Sequence, residues 1–462
     1  MLNPSSPPSA TQSASQSATQ PDARSLLIQN AQILQPNGEF LQGEVWVKAG
    51  VIHQVGAQVG PVPEGTRSID ATGLLLLPGM IDPQVHFREP GLEHKEDLRS
   101  ASHACARGGI TSFLEMPNTK PLTITQAALD DKLQRASEKC VVNYGFFIGA
   151  TAENLPDLNT ATPACGIKIF MGSQHGALLI DDETALDPIF ATGTRLIAVH
   201  AEDQARINQR KVEFAGATDP AMHSVIQDNQ AALNATQVAL ALSKKYKRRL
   251  HILHLSTGEE AVLLRSDKPA WVTAEVTPQH LLLNTDDYEK LGTLLQMNPP
   301  IRSKRDNELL WESLLSGAID FIATDHAPHT LEEKAKGYPN SPSGMPGVET
   351  SMALMLTEAK KGRCTVPQVV NWMSTAVAKA YDIPNKGLIQ EGYDADLVLV
   401  DWENFKPVRR EDVLSKCGWS PFEGWDLTGW AQVTIVGGQV AFENGHVNAS
   451  VRGSALRYEA KV

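Results

Sequence analysis

Six side chains have the types and spacing that metal-assisted hydrolysis would need: His86, Lys168, His200, His254 and Asp325, with Arg88 two residues beyond the first of them. Imidazole and carboxylate groups are ligands that suit Zn2+. Asp325 closes the apolar run FIATD, and a carboxylate there is rarely buried unless paired or bound to a cation. Lys168 stands inside the apolar run GIKIFMG. A lysine so placed must reach water, lose its proton or be modified. Carboxylation of its amine by CO2 would give a carbamate, an anion with two oxygens able to bridge two metal ions. Each histidine taken alone suits a structural role equally well, but the set taken together points to a metal site. His251 precedes His254 by three positions, so strand alternation puts the two on opposite faces, and His251 reads as structural.

These residues need a scaffold. Eight short apolar runs (GMIDPQVHF, ITSFLEMP, VNYGFFIGA, GIKIFMG, RLIAVHAED, LHILHLST, WVTAEVTP and DFIATDHAP) alternate with amphipathic segments such as 94–108, 124–138, 228–246 and 306–317. Alternating strands and helices predict a parallel sheet, and eight units over about 300 residues predict a closed (β/α)8 TIM-type barrel. His86, Arg88, Asn118, His200, His254 and Asp325 fall at the ends of these runs, where such barrels carry their active sites. Residues 25–78 and 386–462 have a strand texture punctuated by Gly and Pro. They predict a small β-sandwich module built from both chain ends, flanking a barrel over 79–385. Residues 1–24, rich in Ser, Ala, Gln, Thr and Pro, predict a disordered tail rather than a signal peptide.

Hydrophobic residues make up 42% and charged residues 20%, the make-up of an ordinary globular protein. The net charge of −12 argues against a nucleic-acid partner. The densest basic stretch, Lys244–Arg249, only closes a helical pattern. No apolar run approaches the roughly 20 residues of a membrane span. Cys105, Cys140, Cys165, Cys364 and Cys417 are widely spaced and lack a CxxC pair, which suits a reducing, cytoplasmic setting.

PGMIDPQVHFREPGLEHKED, MPNTKP, GIKIFMG, AVHAED, HILHLST, MNPPIRSKRDNELLW and ATDHAPHTLEEK together resemble the bacterial dihydroorotases of the amidohydrolase superfamily, over essentially residues 30–450. The resemblance implies metal ligands at His86, Lys168 (as the carbamate), His200, His254 and Asp325, holding one or two Zn2+ ions. It implies substrate contacts at Arg88, Asn118, Asn298 and His329, with Asp325 also the acid/base. The implied reaction is the reversible closure of N-carbamoyl-L-aspartate to L-dihydroorotate in pyrimidine synthesis. The substrate is then a small molecule, and the enzyme is expected to be a homo-oligomer. Arg88 fits this reading, because a guanidinium fork recognises a carboxylate in two-point fashion. Similar hydantoinases and allantoinases lack that Arg, because their substrates lack the carboxylate.

One departure bears on the metal. The family's first barrel strand usually reads His-x-His, but here it reads Gln84-Val85-His86. Glutamine is neutral and a weak oxygen donor, so the more buried metal position should bind weakly or hold a different ion. Gln279 and the segment Ser173–Gly176 also depart from the common pattern. Two alternatives stay open: a catalytically weak subunit supporting aspartate carbamoyltransferase, and a related cyclic amidase. The Met345–Pro346–Gly347 loop is a further candidate for substrate contact.

Overall fold

In a computed structural model, residues 22–459 are described, apart from 174 and 175. The expected tail therefore lies, up to residue 21, outside the described residues, as do Gln174 and His175.

The N-terminal strands β1 (Leu26–Leu34), β2 (Phe40–Lys48), β3 (Val51–Gly56), β4 (Arg67–Asp70) and β5 (Leu75–Pro78) precede the barrel. Its strands follow: β6 (Met80–Val85), β7 (Ile110–Glu115), β8 (Asn143–Phe146), β9 (Ile148–Gly149), β10 (Ile167–Phe170), β11 (Ile197–His200), β12 (Leu250–Ile252), β13 (Val272–Val276) and β14 (Phe321–Ile322). The chain ends with β15 (Leu397–Asp401), a short ribbon of β16 (Lys406–Pro407) and β17 (Asp426–Leu427), then β18 (Trp430–Val436), β19 (Gln439–Glu443) and β20 (His446–Val447).

Every neighbouring barrel pair is parallel. One apolar run is split at Phe147, so β8 pairs back to β7 while β9 pairs on to β10. The ring closes where Val85 bridges His326 and the His86 amide donates to the His326 carbonyl at 2.8 Å. Side chains alternate as a doubly covered parallel sheet requires. Ile197, Val199, Leu250 and Ile252 meet the helices, whereas Ala198, Leu253, Phe147 and Phe321 fill the interior.

The nine-stranded sheet runs β20-β19-β18-β15-β5-β1-β2-β3, with β4 also on β1, so it draws strands from both ends of the chain. It wraps a core of its own, including Ile28, Ile33, Val45, Leu76, Leu397 and Ile435. The helices Gln126–Lys139, Asn229–Tyr246 and Lys304–Ser316 lie close to the expected segments. The first helix does not reach back to 94. It starts at Leu98 because the Asp97 carboxylate accepts the Ser100 amide and caps it, leaving Lys95 and Glu96 outside. No described helix is long and apolar enough to cross a membrane.

An ion pair fastens the helix Gln126–Lys139 to the barrel. Lys132 Nζ lies 2.6 Å from Glu115 Oε2, with the side chains 1% and 0% exposed. The Phe87 amide holds the other carboxylate oxygen, and Lys132 also donates to the Met116 carbonyl. Removing one partner strands the other charge in the interior. Lys132→Met is expected to cost about 3–5 kcal/mol, read as a lower urea midpoint, and adding Glu115→Leu should recover most of that loss. A single variant as stable as the parent would show the pair to be unimportant.

Candidate active site

Gln84, His86, Arg88, Asn118, Lys168, Phe170, His200, His254, Asn298 and Asp325 line one cavity at the carboxyl ends of the barrel strands. Eight of the nine residues expected at the site are among them. The ninth, His329, stands behind Arg88, with Nε2 3.2 Å from Arg88 Nη2. The wall beside it is formed by Ser343 and Gly344, not by Met345–Gly347: the Met345 carbonyl accepts the Ala327 amide, and Pro346 and Gly347 line another pocket, with His326. Strand ends deliver the side chains, and the backbone bends sharply there. Arg88, Ser173, His254 and Asp325 have φ of 68, 68, 37 and 47°. Such left-handed non-glycine residues are costly and gather where function over-determines them.

Two pairs of facing donors define the centre. His86 Nδ1 lies 2.7 Å from Asn118 Oδ1 and its Nε2 lies 3.1 Å from Asp325 Oδ1. Burial pulls the His86 imidazole below its ordinary pKa, and the neighbouring Asp325 opposes it. Across the cavity, His200 Nε2 is bonded to Glu202 Oε2 at 2.8 Å, and its Nδ1 lies 2.9 Å from His254 Nε2. Lys168 is 1% exposed, and its Nζ has no hydrogen-bond partner and sits 4.4 Å over the Phe170 ring. Its charge acts on His86, His254 and Asp325. Burial, opposed by Asp325 and Glu275, pulls its pKa down to about 7. Among the described residues no group of His, Cys, Asp and Glu side chains alone makes a metal site. Imidazoles of His86, His200 and His254 and the Asp325 carboxylate nevertheless share this cavity with Lys168, a ligand chemistry that suits a divalent cation.

Several further residues support these side chains. Asp82, its pKa pushed up to about 7 by burial, accepts from the Thr324 amide and hydroxyl and so sets the backbone leading into Asp325. Gln84 donates to Asp325 Oδ1 at 3.1 Å, which assigns this residue a neighbour of the acid rather than an imidazole's place. Ser173 Oγ bonds both His200 and Glu202. His223 Nε2 lies 2.9 Å from both the Asn298 side-chain oxygen and the Met297 carbonyl, and Asn298 lines the cavity. Gln279 donates to the Thr324 carbonyl. His251 stays out of the cavity, but not for the reason alternation gives. It too faces the barrel interior, one layer deeper, bonded to Thr273 and Glu275 and stacked on Phe321. The positive φ at His254 breaks the alternation between them.

The profile of the Amidohydrolase family matches residues 75–441. A protein named dihydroorotase from Methanosarcina acetivorans is 36% identical, covering 94% of this chain and 96% of its own. One of the same name from Bacillus subtilis is 35% identical, over 92% of this chain and 99% of its own. Among solved structures, the L-hydantoinase (dihydropyrimidinase) of Arthrobacter aurescens superposes with a TM-score of 0.87 at 31% identity, covering 92% of this chain and 97% of that one. The dihydropyrimidinase of Brevibacillus agri gives 0.85 at 26% identity, covering 93% and 98%. A (β/α)8 barrel with its catalytic-type side chains gathered at the strand ends, matched along nearly its whole length by these hydrolases, belongs to the amidohydrolase family.

Proposed function

We propose that this chain is a metal-dependent dihydroorotase, interconverting N-carbamoyl-L-aspartate and L-dihydroorotate plus water. The observation that carries this reading is Arg88, a buried guanidinium on the cavity wall two residues from His86. Arg88 Nε donates to the Pro328 carbonyl and Nη2 stands beside His329, so the fork's remaining N–H groups are those a substrate carboxylate would meet. Relatives named dihydroorotase at 33–36% identity support the same reading. We take 79–385 as the catalytic barrel, with 25–78 and 386–462 forming the β module.

His86, His200, His254, Asp325 and a carboxylated Lys168 would hold one or two Zn2+ ions. A lysine with its pKa near 7 has the free amine that CO2 requires at neutral pH. Gln84, bonded to Asp325 and neutral, would be a poor donor to such an ion. When bound, the metal supplies Lewis acidity, activating water and polarising the ring carbonyl. The protein's own groups do the rest. Arg88 fixes the carboxylate and with it the ring. Asn298, on the cavity wall with its side-chain oxygen beside His223, donates from its amide nitrogen to an oxygen of the reacting group. Asp325 takes the proton of the attacking water and delivers it to the departing ring nitrogen, and ring closure runs the same transfers backwards.

The test is ring closure by purified, Zn2+-supplied protein at mildly acidic pH. Arg88→Ala is expected to raise KM for N-carbamoyl-L-aspartate by about 100-fold, the value of a charge-assisted two-point contact. The same variant should leave hydrolysis of an uncharged cyclic amide no worse than in the parent. A parent protein that opens hydantoin readily and ignores the carboxylated substrate would overturn the assignment.

A further inference from the structure

His329 is a buried imidazole ringed by cations. Lys95 Nζ lies 3.1 Å from its Nδ1, Arg88 Nη2 lies 3.2 Å from its Nε2, and Lys334 acts on it from behind. Around the same ring stand two acceptors: the Ser343 carbonyl 3.0 Å from Nε2, and Glu333 Oε2 3.7 Å from Nδ1. A neutral imidazole carries one proton, so its position decides which of these contacts are bonds and which are conflicts.

With the proton on Nε2, Nδ1 accepts from the Lys95 ammonium and Nε2–H donates to Ser343. The Arg88 N–H then meets another N–H and cannot be absorbed by the ring. With the proton on Nδ1, Lys95 faces a donor, Ser343 faces a lone pair, and Nε2 takes a hydrogen bond from Arg88. Glu333 Oε2, at 3.7 Å, is beyond hydrogen-bond reach of Nδ1; among the contacts within reach, two conflicts against one favour the first arrangement, and the bond that tips it is the charge-assisted one from Lys95. Lys95 is itself held in place by Glu333, 3.0 Å away. We propose that Lys95 is a positioning residue that keeps the His329 proton on Nε2, donated to the Ser343 carbonyl, so that the ring cannot accept the Arg88 N–H and leaves it for a substrate carboxylate. The carboxylate as ligand rests on the function proposed above, but the tautomer does not.

The experiment uses the Zn2+-loaded full chain labelled with 15N-histidine, with His329→Asn to assign the ring. Two-bond 1H–15N correlations should show His329 protonated at Nε2 in the parent and in Lys95→Arg, and moved toward Nδ1–H in Lys95→Met. In parallel, Lys95→Met should raise KM for N-carbamoyl-L-aspartate by about tenfold. Its kcat should stay within about twofold, the pattern of lost uniform binding. Lys95→Arg should restore most of the affinity. An Nδ1–H ring in the parent, or an unmoved tautomer and KM in Lys95→Met, overturns the proposal. A parent that turns over no carboxylated substrate defeats the dihydroorotase reading instead, and the spectra still decide the tautomer.

Discussion

Lys168→Ala is expected to lower kcat/KM for ring closure by about 1,000-fold or more, since losing several kcal/mol of Lewis-acid stabilisation is worth three powers of ten. The reasoning starts from burial. Lys168 Nζ is enclosed, bonded to nothing and flanked by His86, His254 and Asp325. An amine there stabilises little by itself, whereas its carbamate would supply two anionic oxygens to the centre. Metal content by elemental analysis should fall in step with activity. Millimolar acetate or propionate should restore part of the alanine variant's activity, because a small carboxylate can stand where the carbamate stood, and methylamine should restore none. Thermal stability should not suffer in Lys168→Met, which removes a desolvated amine and keeps the stem's volume. Activity within tenfold of the parent, or rescue by the amine alone, would rule out the carbamate.

Asp325→Asn is the second large effect. The amide keeps the shape of the side chain and can still meet Gln84 and His86, so the pocket should keep its form. What it loses is a group able to receive and return a proton. We expect kcat to fall by about 10^2 to 10^4, the usual worth of a general acid/base, with KM changed little. Product formation in both directions should drop together, since one carboxylate serves opening and closure. A kcat within tenfold of the parent would assign the proton transfer to another residue.

The barrel could be read from the chain because eight apolar runs repeat at a helix's distance, and the ends of those runs carried His86, His200, His254 and Asp325. Depth was not legible. His251 and His254 look like neighbours of opposite face, yet both point inward at different levels, because a single positive φ interrupts the alternation. Residues acting through others were also invisible. Asp82 needs the fold to bring it to Thr324, 242 positions away, and Lys95 needs a helix cap at Asp97 to stay off the helix and reach His329. The partner of Gln84 is a carboxylate 241 positions away, a meeting that only barrel closure creates.

The shared sheet imposes an order on synthesis. Strand β5 finds its antiparallel neighbour only when Leu397 reaches Pro78 and Val400 reaches Leu75. A ribosome therefore releases β1–β5 long before β15 exists, and during that interval the edge of β5 and the apolar side chains around Leu76 lack their cover. The barrel emerges in between and can assemble from neighbours in sequence, while the module that flanks it must wait for β15 and β18 to be made.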